Sequence, residues 1–314
     1  MYYIGIDIGG MSIKAGIVDE NGKLYIKKAI PTEPQRHYTA IVADMAGLCH
    51  TICEYSGIAI QKIEGIGIGS PGTVNGAIGQ IVYSCNINFD RVPVVEELRK
   101  YIDVPTYVDN DANCAAMGEV KFGSCKGLND AILVTLGTGV GGGIITDGRM
   151  LVGKNGGGGE VGHITIKVGG RKCGCGKSGC WEAYASAKAL VRQTADSARR
   201  NPTSIMNDII KEQGKVSGRT AFIACRQGDE AGKAVVKKYV QYVSEGLLSL
   251  INIFRPDVIA IGGGVSNEGD YFIDMLQEYV DQFGYGGTNN PQTEIRKASL
   301  LNDAGILGAA ALCI

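Results

Sequence analysis

The spacing of apolar and polar positions divides the chain into strand-like and helix-like stretches. Residues 2–7, 12–18 and 24–28 alternate as strands, and Asp19-Glu20-Asn21-Gly22 between the last two carries the Asn-Gly signal of a tight hairpin. The opening is therefore expected to be a three-stranded meander. Apolar residues then recur with helical spacing from about 39 to 55. A strand over 63–68, a helix near 94–101, a strand over 106–108 and a helix from 112 to about 121 complete an alternating β and α stretch. The pattern restarts with strands over 131–136, 141–146 and 149–152, the last two joined by the Asp147-Gly148 turn. Helices near 182–199 and 230–254, a strand over 257–261, a helix near 271–283, a strand over 294–297 and a short last helix from 303 follow. Both series place a glycine-rich turn after the first strand, Gly9-Gly10 in one and Gly137-Thr138-Gly139 in the other, and this marks an internal duplication.

Length and composition narrow the classes. A chain of 314 residues favours two domains of ordinary size. Gly occupies 47 positions and Pro only 8, so glycine runs at about twice its usual share without the proline of a low-complexity linker. Its excess must serve local backbone geometry. The net charge of −1, with no block of like charge, removes the electrostatic footprint of a nucleic-acid or anionic-membrane binder. Small neutral or anionic ligands stay open. No apolar run approaches the ~20 residues of a membrane span, and the first residues lack a signal peptide's basic start and long apolar run, so a cytoplasmic protein is expected. Ten cysteines are too sparse for a disulfide scaffold; seven stand singly and read as small buried hydrophobes. His37 and His50 read as surface residues beside the first helix.

Two lobes that each open on a glycine-rich turn suggest a polyanion clamped between them, because turns without Cβ atoms let backbone N–H groups approach phosphate oxygens. Gly137-Thr138-Gly139-Val140-Gly141-Gly142 also fits G-x-G-x-x-G, as does the run from Gly67 to Gly72. A dinucleotide fold would start a helix within either motif, and here a strand or turn continues instead. Asp7, before Gly9-Gly10, is placed either to hold Mg²⁺ beside phosphates or to form a turn. Lys14 is either a phosphate contact or a solvated strand residue, the second being favoured. Val108-Asp109-Asn110-Asp111-Ala112-Asn113 stands at the carboxyl end of a strand, where α/β folds collect ligands. One helix cap needs a single such side chain, and three in succession leave one for a substrate. Glu160 and His163 follow the flexible run Gly156-Gly157-Gly158-Gly159, which could deliver them into a cleft. Cys173, Cys175 and Cys180 with His163 form a Cys₃His set suited to structural, tetrahedral Zn²⁺.

At these residues the chain resembles the ROK family of sugar kinases and regulators, within the actin-like ATPase superfamily, nearly end to end. Asp7-Ile8-Gly9-Gly10 resembles the family's first phosphate motif, Gly69-Ser70-Pro71-Gly72 its sugar loop, and Asn110-Asp111-Ala112-Asn113 its catalytic motif. The run from Leu136 to Gly143 resembles the second phosphate motif and Gly262-Gly263-Gly264 the adenosine-side turn. Glu160-Val161-Gly162-His163 and the cysteine run ending in Glu182 resemble its paired sugar-and-zinc signature.

The resemblance implies a two-lobed α/β, actin-like (ribonuclease H-like) fold with duplicated meander-plus-βα lobes. The smaller lobe would span 1–122 with the C-terminal helix 303–314, and the larger 123–302 with the zinc-binding loop. It implies an ATP-dependent hexose kinase acting with Mg²⁺ on the 6-hydroxyl of a neutral aldohexose, with glucose preferred, and a homodimer or homotetramer. Asp111 would be the general base and, with Gly72, Asn86, Asn110, Glu160, His163 and Glu182, would contact the sugar, and His163 would also hold zinc. Asp7, Gly9, Gly10, Ser12, Lys14, Gly137, Thr138, Gly139 and the turn 262–264 would bind the nucleotide. Lobe closure would exclude water from the transfer. Met11 replaces the usual Thr after Gly9-Gly10, and Phe89 stands where many glucose-type members have Trp. The alternatives are an N-acetylglucosamine or N-acetylmannosamine kinase, a sugar-sensing regulator, and a sugar-binding pseudo-kinase. Regulators of the family carry a preceding helix-turn-helix domain, for which a first strand starting at Tyr2 leaves no room, so DNA binding is not expected.

Overall fold

A computed structural model describes residues 1–84 and 86–314; Cys85 lies outside the described residues. β1 (Tyr2–Ile8), β2 (Ser12–Asp19) and β3 (Leu24–Pro31) form the meander, followed by α1 (Tyr38–Ser56) and β4 (Ile63–Ser70). Three short strands come next, β5 (Thr73–Asn75), β6 (Gln80–Ser84) and β7 (Phe89–Val92), paired as a small antiparallel sheet that the apolar pattern does not predict. Then come α2 (Val94–Arg99), β8 (Thr106–Asn110) and α3 (Asp111–Phe122). The second series has β9 (Ala131–Leu136), β10 (Val140–Thr146) and β11 (Arg149–Met150). The single helix expected over 182–199 is two, α4 (Glu182–Ala185) and α5 (Ala187–Arg200). Ser186 between them is extended, and its hydroxyl caps α5 by accepting the Ala189 N–H at 3.2 Å. α6 (Met206–Gln213), α7 (Thr220–Arg226), α8 (Glu230–Phe254), β12 (Val258–Gly262), α9 (Asp270–Phe283), β13 (Glu294–Lys297) and α10 (Ala304–Ala311) complete the chain.

The two larger sheets have the strand orders β3-β2-β1-β4-β8 and β11-β10-β9-β12-β13. These are one topology used twice, a meander followed by two crossover strands. The chain divides into two compact units: residues 1–133, 143–159 and 299–314, and residues 134–142 and 160–298. The boundaries pass through β9 and β10.

In the first unit β1 is central and is covered on both faces. Ile4, Ile6 and Ile8 join Ile41, Val42 and Met45 of α1 in the main core, while Tyr3 packs with Ile306, Leu307 and Ala310 of α10 on the other side. β1 and β4 carry glycine where the backbone of α10 lies directly on them: a Cβ at Gly5 would stand 1.9 Å from the Ile306 carbonyl oxygen, and one at Gly67 would stand 1.7 Å from that of Ala309. In the second unit Trp181 is fully buried, and its indole N–H donates to the Tyr242 carbonyl on α8 at 2.8 Å. Tyr239 of α8 donates its hydroxyl to the Ala185 carbonyl at 2.6 Å. α4, which follows the cysteine run, is thereby fixed to α8. Among the described residues no helix is long and apolar enough to cross a membrane.

Candidate active site

Strand register gathers the first unit's candidate residues. β1, β4 and β8 are parallel neighbours, with Asp7 opposite Gly69, Gly69 opposite Asp109, and Ser70 opposite Asn110. The carboxyl ends of three strands thus form one row, the place where open α/β sheets present side chains to ligands. Gly9 N–H donates to the Ser12 carbonyl at 2.9 Å to close the first glycine turn. Thr32, fully buried, ties that turn from behind: its hydroxyl donates to the Gly9 carbonyl at 2.6 Å and its N–H to the Met11 carbonyl at 3.1 Å. The Met11 side chain is 90% exposed. Lys14 lies opposite Asp7 on β2, with Nζ 3.4 Å from its carboxylate.

The polar run at the exit of β8 divides its tasks. Asn110 caps α3, its Oδ1 accepting the Ala112 and Asn113 N–H groups at 2.9 and 3.3 Å. Its Nδ2 donates to the Gly72 carbonyl at 2.9 Å, which joins the sugar-loop candidate to the catalytic candidate. Gly72 has a φ of +97°, open to glycine at little cost. Asp109 holds the run in place, Oδ1 accepting the Asn110 N–H at 2.7 Å and the Asn113 Nδ2 at 3.0 Å. Burial pushes the Asp109 carboxyl above the usual range, with those two donors opposing. Asp111 opens α3, and its Oδ1 accepts the Ala112 N–H at 2.8 Å. Asn86 is exposed, and its carbonyl oxygen lies 3.3 Å from where a Cβ on Gly10 would be. Phe89, 2% exposed, is part of the main core. The glycine run 156–159 is held rather than free: the Gly158 N–H donates to the Val152 carbonyl at 2.8 Å, and Gly156 lies against the backbone of Val74 in β5.

In the second unit the turn 137–139 leaves β9, and the turn 262–264 leaves β12 beside it. Gly263 packs directly on the backbone of Leu136, so the two turns are neighbours. His163, Cys173, Cys175 and Cys180 converge, with one ligand atom from each within 4.8 Å of all the others. Cys173 Sγ is 3.7 Å from His163 Nδ1, and Cys175 Sγ is 3.6 Å from Cys180 Sγ. Three sulfurs and an imidazole nitrogen at this separation suit a tetrahedral, thiophilic divalent cation. Burial pushes the Cys173 thiol up to about 12 and raises Cys180, whereas the backbone N–H of Lys177 draws Cys175 down. Glu182 reaches two groups: Oε1 accepts from Cys173 Sγ at 3.5 Å and Oε2 accepts the Val140 N–H at 3.2 Å. Glu160 is exposed, and its carbonyl accepts the His163 N–H at 3.1 Å.

Of the remaining cysteines, Cys49, Cys53, Cys114 and Cys125 are buried as expected, while Cys225 and Cys313 are partly exposed. His37 and His50 are exposed. Thr32 is the site residue that sequence reasoning misses. It belongs to no motif, and only the pairing of Pro31 with Ser12 across β3 and β2 brings it to the first glycine turn.

A profile of the ROK family matches residues 3–314. The chain is 36% identical to a glucokinase of Streptomyces coelicolor over 98% of its own length and 96% of that protein's. It is 33% identical to a glucokinase of Thermotoga maritima, again over 98% and 96%. Among solved structures it is similar to a ROK family glucokinase from Streptomyces griseus in complex with glucose and AMPPNP, with a TM-score of 0.83, 34% identity and 99% of each chain covered.

Proposed function

We propose, from the premise that this chain belongs to the ROK family, that it is an ATP-dependent hexose kinase transferring the γ-phosphoryl group to the 6-hydroxyl of a neutral aldohexose, with glucose the preferred acceptor. The observation that carries this reading is its end-to-end likeness to a kinase crystallised with glucose and an ATP analogue. Loose phosphoryl transfer asks a protein for in-line positioning, charge neutralisation and one base, and the residues supply each.

Asp111 takes the proton of the 6-hydroxyl as that oxygen attacks phosphorus. Asn110, fixed by Gly72 and by its own capping bonds, offers the sugar a pre-oriented amide, and Asn86, Glu160, His163 and Glu182 pair with further hydroxyls. The turns 9–10 and 137–139 bring backbone N–H groups to the phosphates, with Ser12, Lys14 and the turn 262–264 as further nucleotide contacts. Asp7 would hold Mg²⁺, which would neutralise phosphate charge. His163, Cys173, Cys175 and Cys180 would hold Zn²⁺, which would fix the orientation of the His163 imidazole. A cytoplasmic location and a homodimer or homotetramer belong to the same reading.

A coupled ADP-release assay over glucose, mannose, N-acetylglucosamine, N-acetylmannosamine, fructose and allose tests it. Glucose is expected to give the highest kcat/KM, because a site built to pair hydroxyls rejects analogues that leave a partner unsatisfied. An N-acetylhexosamine preferred by more than about tenfold, roughly 1.4 kcal/mol, would overturn the choice of sugar and keep the kinase. Sugar binding without turnover on any acceptor would overturn the kinase.

A further inference from the structure

Glu182 sits between three features of the second unit that are separate in sequence. It follows Cys180 and the buried Trp181, so the cysteine cluster and α8 fix its backbone. Its Oε1 accepts from Cys173 Sγ at 3.5 Å. Its Oε2 accepts the N–H of Val140, the residue that follows the turn 137–139, at 3.2 Å. Gly139 leaves room for this oxygen, since a Cβ there would stand 2.3 Å from Oε2. The other side of the turn is tied to the same stretch of chain, the Ala187 N–H donating to the Gly137 carbonyl at 2.8 Å. The turn is closed internally by the Gly137 N–H to the Gly139 carbonyl at 3.0 Å. Its own bond fixes its curvature, and the two bonds to 182–187 fix where it points.

We propose that Glu182, besides pairing with sugar, is a positioning residue for the nucleotide: its Oε2 holds the second phosphate turn in the orientation that accepts ATP. The inference rests on the kinase reading above. The two oxygens divide the work. Oε1, held by the weak sulfur contact at 3.5 Å, is the oxygen left to a sugar hydroxyl. Oε2 stays on the Val140 N–H. The nucleotide affinity of the sugar-free protein then depends on a residue whose family role lies with the sugar.

The test is titration calorimetry of a non-hydrolysable ATP analogue with Mg²⁺ into zinc-loaded protein in the absence of sugar. It compares the wild type with Glu182→Met, which has similar length and no strong acceptor, and Glu182→Gln, whose amide oxygen still accepts from Val140. Glu182→Met is expected to weaken analogue binding about tenfold or more, and Glu182→Gln to stay within about threefold of wild type while losing sugar affinity. Zinc content and melting temperature are measured on each variant to establish that it is folded. Wild-type analogue affinity in Glu182→Met would overturn the proposal, and so would equal weakening in both variants, since a purely structural role does not distinguish an acceptor from its absence. No analogue binding by the wild type would instead overturn the kinase reading from which the inference starts.

Discussion

Asp109 and Asp111 stand two positions apart on the same exit from β8, and their surroundings give them different work. Asp109 is 2.7 Å from the Asn110 N–H and 3.0 Å from the Asn113 amide through a single oxygen, which is a structural assignment. Asp111 begins the helix that Asn110 caps, and Asn110 in turn holds the Gly72 carbonyl of the proposed sugar loop, which favours Asp111 as the base in the proposed reaction. Asp111→Asn keeps the shape of the side chain and removes the base, so kcat should fall by about 10²–10⁴ with little change in sugar affinity. Wild-type turnover in that variant would move the base elsewhere. Asp109 makes a prediction about stability. Its folded pKa is raised by burial above the unfolded value, so the native state binds more protons between the two, and stability is lost as pH rises through the folded pKa. Asp109→Asn keeps an oxygen for both donors and carries no charge to desolvate. Its melting temperature should exceed wild type at pH 7, and the difference should disappear below about pH 4. An unchanged or lower value at pH 7 would show that ionised Asp109 is held by more than these two bonds. The run 109–113 is legible in sequence because three polar residues exceed one cap's needs, but sequence does not say which of them caps.

Elements were legible where pattern and punctuation agree. α8 runs over 230–254 as its periodicity predicts, and Asp229 starts it, accepting the Gly232 N–H at 2.6 Å, the Ser204 hydroxyl at 2.9 Å and the Ile205 N–H at 3.1 Å. Burial pushes Asp229 upward, and the donors led by Gly232 outweigh it, so its carboxyl lies below the usual range. The stability it contributes is present above the unfolded pKa and is lost as pH falls through the folded one. Asp229→Ala should cost about 1–2 kcal/mol at pH 7, read as a lower denaturant midpoint, and the gap to wild type should narrow toward pH 3. A gap independent of pH would assign the cost to the cap's shape rather than to its charge. The strands β5 to β7 were not legible, because each has only three to five residues and Gly76 and Gly79 interrupt their alternation. Glu119 was equally hidden. Its carboxylate, 1% exposed, takes the Ser124 N–H and hydroxyl at 2.7 and 2.8 Å, the Ser299 hydroxyl at 3.1 Å and the Leu300 N–H at 2.8 Å. It ties the end of α3 to the chain just before α10 through a separation of 180 residues that no local pattern encodes.

For the whole molecule, the repeated meander visible in the apolar spacing corresponds to a repeated strand order, and in the first copy the register carries the candidate site residues to strand exits. The cysteine cluster is also long-range in effect, since Cys173 and Cys180 bracket the loop that leads into Trp181, α4 and the contacts of Glu182. Without a cation, three thiols and an imidazole at these separations have only weak sulfur hydrogen bonds among them, and their acidities are pulled in opposite directions. A divalent metal would replace those contacts with four bonds and hold all three sulfurs as thiolates. Elemental analysis of purified, buffer-exchanged protein should therefore find one zinc per chain. Strong chelation should release it, lower the melting temperature, and open Cys175, the exposed member whose acidity is raised by the Lys177 N–H, to alkylation near neutral pH. Sugar affinity should weaken in the same preparation, because His163 loses the partner that sets its tautomer and orientation. Protein that carries no zinc after purification, alkylates Cys175 at the same rate with and without added zinc, and phosphorylates sugar normally would exclude both the metal site and the orienting role of His163.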